Sequence, residues 1–300
     1  MQATILTKKR FDNLPKYELP NSIFNTEARL YILKTKEKWK PTNKLLKKFY
    51  VRNGQIFSNK LYTINSLIDN KEKIDIPEIV FPDSIAIVDK EVVGFIMPLI
   101  NSTNLDIILK DINIDNEIKI KYLTDVGKIL EKMKQVRNHT DITDFYVNDL
   151  HENNFIISNS TKELLLVDID SCKINQNKPF GSRYLSAFSA INNIAKYEKT
   201  TDGTSGGYIS PNEDTDIYCY VIMILNFLYG ENINNYSIND IYEFINYLED
   251  IGVEKELLLT IEKVFTNSKN ENPYQLLDSL LPYIGKSKAY RHIKIKNKSN

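Results

Sequence analysis

The hydrophobic period of this chain changes near Pro98, and that change limits the folds open to it more than any other feature. Before Pro98, short runs rich in β-branched and aromatic residues (RLYIL, KLLKKFYV, SIAIVD and VVGFIM) are separated by turn signals such as Asn53-Gly54, Pro77, Pro82 and Asp89-Lys90. These runs are expected strands. One helix interrupts them, because in SNKLYTINSLIDNKE the residues Leu61, Ile64, Leu67 and Ile68 fall on one helical face. After Pro98 the apolar residues recur at helical spacing. NEIKIKYLTDVGKILEKMKQV carries a stripe of Ile118, Tyr122, Val126, Ile129 and Met133, and DIYCYVIMILNFLYG is apolar nearly all round, so it is expected to be buried. INDIYEFINYLED, EKELLLTIEKVF and PYQLLDSLLPYI read as further helices, and NFIIS with ELLLVDID reads as a hairpin turning at Asn159–Lys162. The expected class is α+β: a small β-rich lobe with one helix over residues 1–98, a larger mainly helical lobe over 99–285, and a basic tail over 286–300.

Composition narrows the functions. With 42% apolar and 11% aromatic residues in 300, the chain can bury a large core. Its 39 basic and 39 acidic side chains cancel, so no overall field draws it to nucleic acid, and no nucleic-acid partner is expected. Cys172 and Cys219 are too few for a disulfide framework, and no Cys/His spacing suggests zinc. MQATILTKKRF lacks the apolar core of a signal peptide, and the greasy run Val221–Tyr229 is too short to span a bilayer. The expectation is a soluble cytoplasmic protein with no membrane span.

Two polar stretches stand out, VNDLHENNFII at 147–157 and VDID at 167–170. If the hairpin forms, it brings Asp149 and Asn154 to Asp168. Such a trio suits phosphoryl transfer, which asks for a divalent cation against the phosphates and a carboxylate beside the attacking hydroxyl. Magnesium takes hard oxygen ligands, which Asp168 and Asn154 offer, leaving Asp149 for the hydroxyl.

The trio resembles the D-L-x-x-x-N catalytic loop and D-F-G segment of the protein kinase-like superfamily, and further matches run along the chain. KLLKKFY is similar to the third strand, whose phosphate lysine would be Lys47, or Lys48 after a one-residue slip, with Leu45 facing the adenine. VVGFIMPLI is similar to the strand leading to the hinge, with Met97 as gatekeeper and Pro98, Leu99 and Ile100 beside the adenine. GSRYLSAFS at 181–189 resembles the end of an activation segment. TDIYCYVIMILNFLYG resembles the family's buried helix, with Asp216 steadying the catalytic-loop backbone, and FTNSKNENPYQLLDSL resembles a late-helix pattern. The overall texture resembles that of divergent bacterial serine/threonine protein kinase-like proteins. The resemblance implies a bilobal protein kinase-like fold, ATP and Mg2+ as cofactors, and a protein substrate carrying Ser or Thr hydroxyls.

The chain also departs from that pattern. IFNTEARLYI stands where a glycine-rich lid would lie, with no glycine. Lys60 occupies the helix position of the glutamate that would pair with Lys47, so that ion pair must be rebuilt or absent. Val147-Asn148 replaces the usual His-Arg, removing the receiver for an activating phosphate. Asp170 replaces the glycine of D-F-G and is expected to add a carboxylate near the metals. Residues 191–214 form an insertion, open to a loop or a docking flap. Two alternatives stay open: a pseudokinase that binds nucleotide or partner without transfer, and, because His151 gives D-L-H-x-x-N, a small-molecule kinase of the aminoglycoside and choline phosphotransferase type.

Overall fold

The computed structural model describes residues 2–18, 28–35, 41–52, 54–177, 179, 197–199, 207–209, 211–229, 238–266 and 278–283. GSRYLSAFS, the first half of IFNTEARLYI and the start of the expected late helix lie outside the described residues.

The first strands form one mixed five-stranded sheet. β1 (Ala3–Leu6), β2 (Ala28–Lys34), β3 (Pro41–Phe49), β4 (Ser84–Val88) and β5 (Glu91–Pro98) run in the order β1-β4-β5-β3-β2. Only β1 and β4 pair in parallel. The expected strands are all present, and β1 is one more than the sequence pattern predicts. The β4–β5 connection turns at Asp89 (φ 47°) and Lys90 (φ 75°), the left-handed pair that a tight hairpin matching strand twist requires.

Strand alternation gives the sheet two apolar faces. Leu46, Ala86, Val93 and Ile96 pack with Leu6 and Leu14 on one side, beneath α1 (Lys8–Asp12) and its flanks. Phe49, Ile85 and Phe95 pack against Ile64 on the other, under α2 (Gly54–Ile74). Within α2, Ile64 and Leu67 are buried as expected; Lys60 and Thr63 are buried too, which makes two of the five buried residues polar.

The rest is built around helices. A short three-stranded sheet of β6 (Ser102–Asn104), β8 (Phe155–Ser158) and β9 (Leu164–Leu166) follows, with α3 (Leu105–Lys110) and α4 (Asn116–His139). β7 (Phe145–Tyr146) pairs with β10 (Lys173–Ile174), and β11 (Tyr197–Lys199) with β12 (Gly207–Ile209), so the insertion includes a hairpin. α5 (Glu213–Tyr229) packs against α4 and α7 (Lys255–Thr266), and α6 (Ile238–Asp250) packs against α7. Residues 217–225 of α5 are all buried, as an all-round apolar helix requires. On α4 the stripe holds from Tyr122 to Met133, but Ile118 is 44% exposed, because in the first turn Lys119 and Ile120 take the inward face instead. Among the described residues no helix is long and apolar enough to cross a membrane.

The segment after α2 ties the sheet to this helical part, while the sheet itself is tightly closed between β3 and β5. The segment after α2 places Ile76, Ile79 and Phe81 in the larger core, and Val80 N–H donates to Leu166 O at 2.9 Å. β5 lies close against β3: a Cβ on Gly94 would lie 1.8 Å from the Lys47 carbonyl oxygen, beside a register shift in the β4–β5 pairing. Gly94→Ala is therefore expected to destabilise the protein by about 2 kcal/mol or more, the scale of overpacking in a tight interior. Urea denaturation checks this, and an unchanged midpoint would contradict it.

Candidate functional site

Strand alternation decides which lysine of KLLKKFY turns inward. Lys47 lies across from Leu30 of β2 and Phe95 of β5, and is 3% exposed. Its ammonium sits 5.9 and 5.8 Å from the Phe49 and Phe95 ring centroids. Lys48 points the other way, its Nζ 5.3 Å from the Phe11 ring centroid. Leu45 and Met97 face each other across the same strands, on the face Lys47 occupies. Met97, Pro98, Leu99 and Ile100 are each half-buried, and Leu99 N–H donates to Asn43 O at 2.9 Å.

Lys47 ends among carboxylates. Its Nζ contacts Asp168 and lies 3.1 Å from Asp170 Oδ1. Asp170 Oδ2 takes a second lysine, Lys60 of α2, at 3.3 Å, and Lys60 Nζ also donates to Ser171 Oγ at 3.1 Å. Asp170 thus turns to the lysines rather than to the place expected for metal. Burial works against its ionisation, yet Lys47 and Lys60 hold it far below the usual carboxylate range. Burial likewise opposes the Lys47 charge, and Asp168 with Asp170 holds that ammonium above the ordinary lysine value. Asp168 differs from Asp170. Burial pushes it above the ordinary carboxylate value against the pull of Lys47, while 42% of its side chain remains open to water.

The hairpin brings the remaining groups to this cluster. Val167 N–H donates to Asn154 O at 2.8 Å, so the two ends of β8–β9 meet, and Asp168 follows in left-handed backbone (φ 60°, ψ 42°). Asn154 is buried in a 3-10 turn over Glu152–Asn154, and its Nδ2 donates to Asp149 O at 2.7 Å. That leaves its amide oxygen as the group able to take a hard cation. Asp149 is 31% exposed at its side chain and lies 3.5 Å from His151 Nε2, while His151 Nδ1 accepts the Asn153 N–H.

The loop carrying Asp149 is held from behind. Asp216 of α5 accepts the N–H groups of Val147 (2.9 Å) and Asn148 (3.2 Å), the latter in left-handed backbone at φ 63°. Asn148 Nδ2 donates to Ser171 O at 3.0 Å, fastening the loop to the segment after Asp168. Asn177 Nδ2 donates to Thr63 Oγ1 and Cys172 O, fastening that segment to α2. Cys172 and Cys219 are buried and their thiols are pushed up by burial, so neither has the character of a nucleophile.

The structure therefore brings Lys47, Asp149, Asn154 and Asp168 together and sets Met97–Ile100 at the end of the same sheet face. Sequence reasoning missed the Lys60–Asp170 pairing, although a lysine on an apolar helix face and an extra acid in VDID were both visible. The donors fit a hard cation: one open carboxylate and one amide oxygen. Among the described residues no group of three or more His, Cys, Asp and Glu forms a metal cage, so such a cation would need oxygens from a ligand. No protein-family model matches the chain, and no curated protein matches it.

Burial raises Asp216 to about 7 against the two N–H donors that favour its charge. A carboxyl raised in the fold binds its proton more tightly there than when unfolded. Its contribution is complete below about pH 4 and is lost as pH rises through about 7. Urea unfolding between pH 5 and 8 should show wild type losing on the order of 3 kcal/mol more than Asp216→Asn over that window. Parallel pH curves for the two proteins would contradict this.

Proposed function

We propose that the chain is a cytoplasmic, ATP- and magnesium-dependent phosphotransferase of bilobal, protein kinase-like fold that modifies Ser or Thr hydroxyls of a protein. The observation that carries this reading is the convergence of Lys47, Asp168, Asn154 and Asp149 beside one apolar sheet face. That face offers Leu30, Ile32, Leu45 and Met97 to an adenine. Pro98 has no N–H and Leu99 gives its own to Asn43, so Ile100 is the hinge donor for the base edge.

In this reading Lys47 neutralises the α and β phosphates. Asp168 and Asn154 hold the magnesium, which supplies positive charge against the phosphate oxygens. Asp149, open to solvent and anchored through its own carbonyl by Asn154, orients the acceptor hydroxyl. As the hydroxyl oxygen bonds to the γ-phosphorus and the bridge to the β-phosphate breaks, Asp149 takes the hydroxyl proton. Asp216 keeps the loop in register by accepting its N–H groups. One observation favours a second reading, a nucleotide-binding module without transfer: Lys47 contacts Asp168, so each occupies the other's proposed ligand position.

Thermal-shift titration separates the readings. ATP with magnesium is expected to raise the melting temperature of the wild type, because a ligand of the native state stabilises it by mass action. Asp168→Ala should lose that magnesium-dependent shift while remaining folded, and should lose autophosphorylation. Asp149→Asn should keep the shift and lose transfer. Autophosphorylation undiminished in Asp168→Ala would contradict the phosphotransferase reading, and a magnesium-dependent shift in wild type with no phosphate transfer to itself or to a generic protein substrate would contradict the protein-kinase reading.

A further inference from the structure

The geometry points to Asp170 as the residue that positions Lys47 for phosphate, with Lys60 in turn fixing Asp170 and seating α2. This rests on the reading of Lys47 as a phosphate ligand. Asp170 gives one oxygen to each lysine, Oδ1 to Lys47 and Oδ2 to Lys60, at 3.1 and 3.3 Å. Its side chain is 1% exposed, so no water replaces it. Both ammonium groups lie over one Phe49 ring, at 5.9 and 5.6 Å from its centroid. Without the carboxylate between them they would be two buried like charges.

Asp168 has a different standing. It meets Lys47 from the open side and is 42% exposed, so it can leave Lys47 for a cation without stranding a buried charge. When it does, Lys47 keeps Asp170 and has N–H donors left for an anionic oxygen. Cation and anion binding are then linked: the cation that takes Asp168 opens the position on Lys47 that a phosphate oxygen fills. The same carboxylate joins this device to α2. Lys60 also holds Ser171, and Thr63 on the same inward face accepts from Asn177 of the same segment. The seat of α2 and the orientation of Lys47 are one network, with the acid on the loop and the second base on the helix.

The test measures the affinity for magnesium-ATP by calorimetry in the full chain, for wild type, Asp170→Asn, Lys60→Glu and the double variant. Asp170→Asn should weaken binding about tenfold or more, the scale of one lost hydrogen bond between charged groups. Lys60→Glu sets a second carboxylate against Asp170 and should also weaken it. Adding Asp170→Asn to Lys60→Glu should instead strengthen binding, since the carboxylate introduced on α2 then faces Lys47 without a competing charge. A residue that only supports the fold would add its damage in both backgrounds, so further weakening in the double variant overturns the assignment. If Lys60→Glu does not fold, Asp170→Glu decides: it keeps the carboxylate and should bind within a few fold of wild type, and loss equal to that of Asp170→Asn overturns the assignment. Absence of magnesium-ATP binding by the wild type overturns the phosphotransferase reading itself, whereas wild-type binding with additive losses overturns the role of Asp170 alone.

Discussion

One buried carboxylate, Asp170, holds two buried lysines, and much of the site's geometry depends on that arrangement. A charge removed from water is tolerated only where partners replace its hydration, and here each oxygen has its own ammonium. Several local features serve this one requirement. β3 must present Lys47 rather than Lys48 to this side, which fixes its register against β2 and β5. α2 must turn Lys60 and Thr63 inward beside Ile64 and Leu67. The chain between β9 and β10 must bend through left-handed Asp168 into a short 3-10 turn, so that Asp168 and Asp170 approach Lys47 from different sides.

A second buried carboxylate does comparable service with different partners. Asp216 accepts two backbone N–H groups rather than ammonium groups, at the point where Asn148 takes a left-handed conformation. The loop that presents Asp149 is thereby fixed from the core side, through α5, while its front remains open. The resulting contrast has chemical meaning. Asp170 and Asp216 are enclosed and hold structure, whereas Asp149 and Asp168 reach solvent, where a ligand can meet them.

Much of this was legible in the chain. The alternating runs marked the strands of the main sheet, and the Asp89-Lys90 turn did join β4 to β5 as its residues suggest. Periodicity located α2 and α4, and all-round apolarity marked α5 as buried. The polar run around Asp149 and Asn154 did meet Asp168, because a hairpin of two short strands leaves its ends no other place to go. What stayed hidden was pairing between distant charges. Lys60 looked like a defect at a position wanting an acid, and Asp170 looked like an added carboxylate near the metals. Each residue stood out by itself in the sequence, but their pairing across 110 residues is set by the fold. β1 escaped for a related reason: its four residues become a strand by pairing with β4, not through a pattern of their own. Ile118 failed because the helical stripe rotates at the first turn, where Lys119 and Ile120 face inward instead.

In the proposed device Asp168 is the exchangeable partner of Lys47 and Asp170 the permanent one. A crystal structure with a non-hydrolysable ATP analogue and magnesium tests it most directly. Asp168 and Asn154 are expected on the metal, Lys47 on a phosphate oxygen, and the Lys47–Asp170–Lys60 contacts unchanged. A bound nucleotide that leaves Lys47 on Asp168, or a complex in which Asp170 moves to the metal, would contradict it.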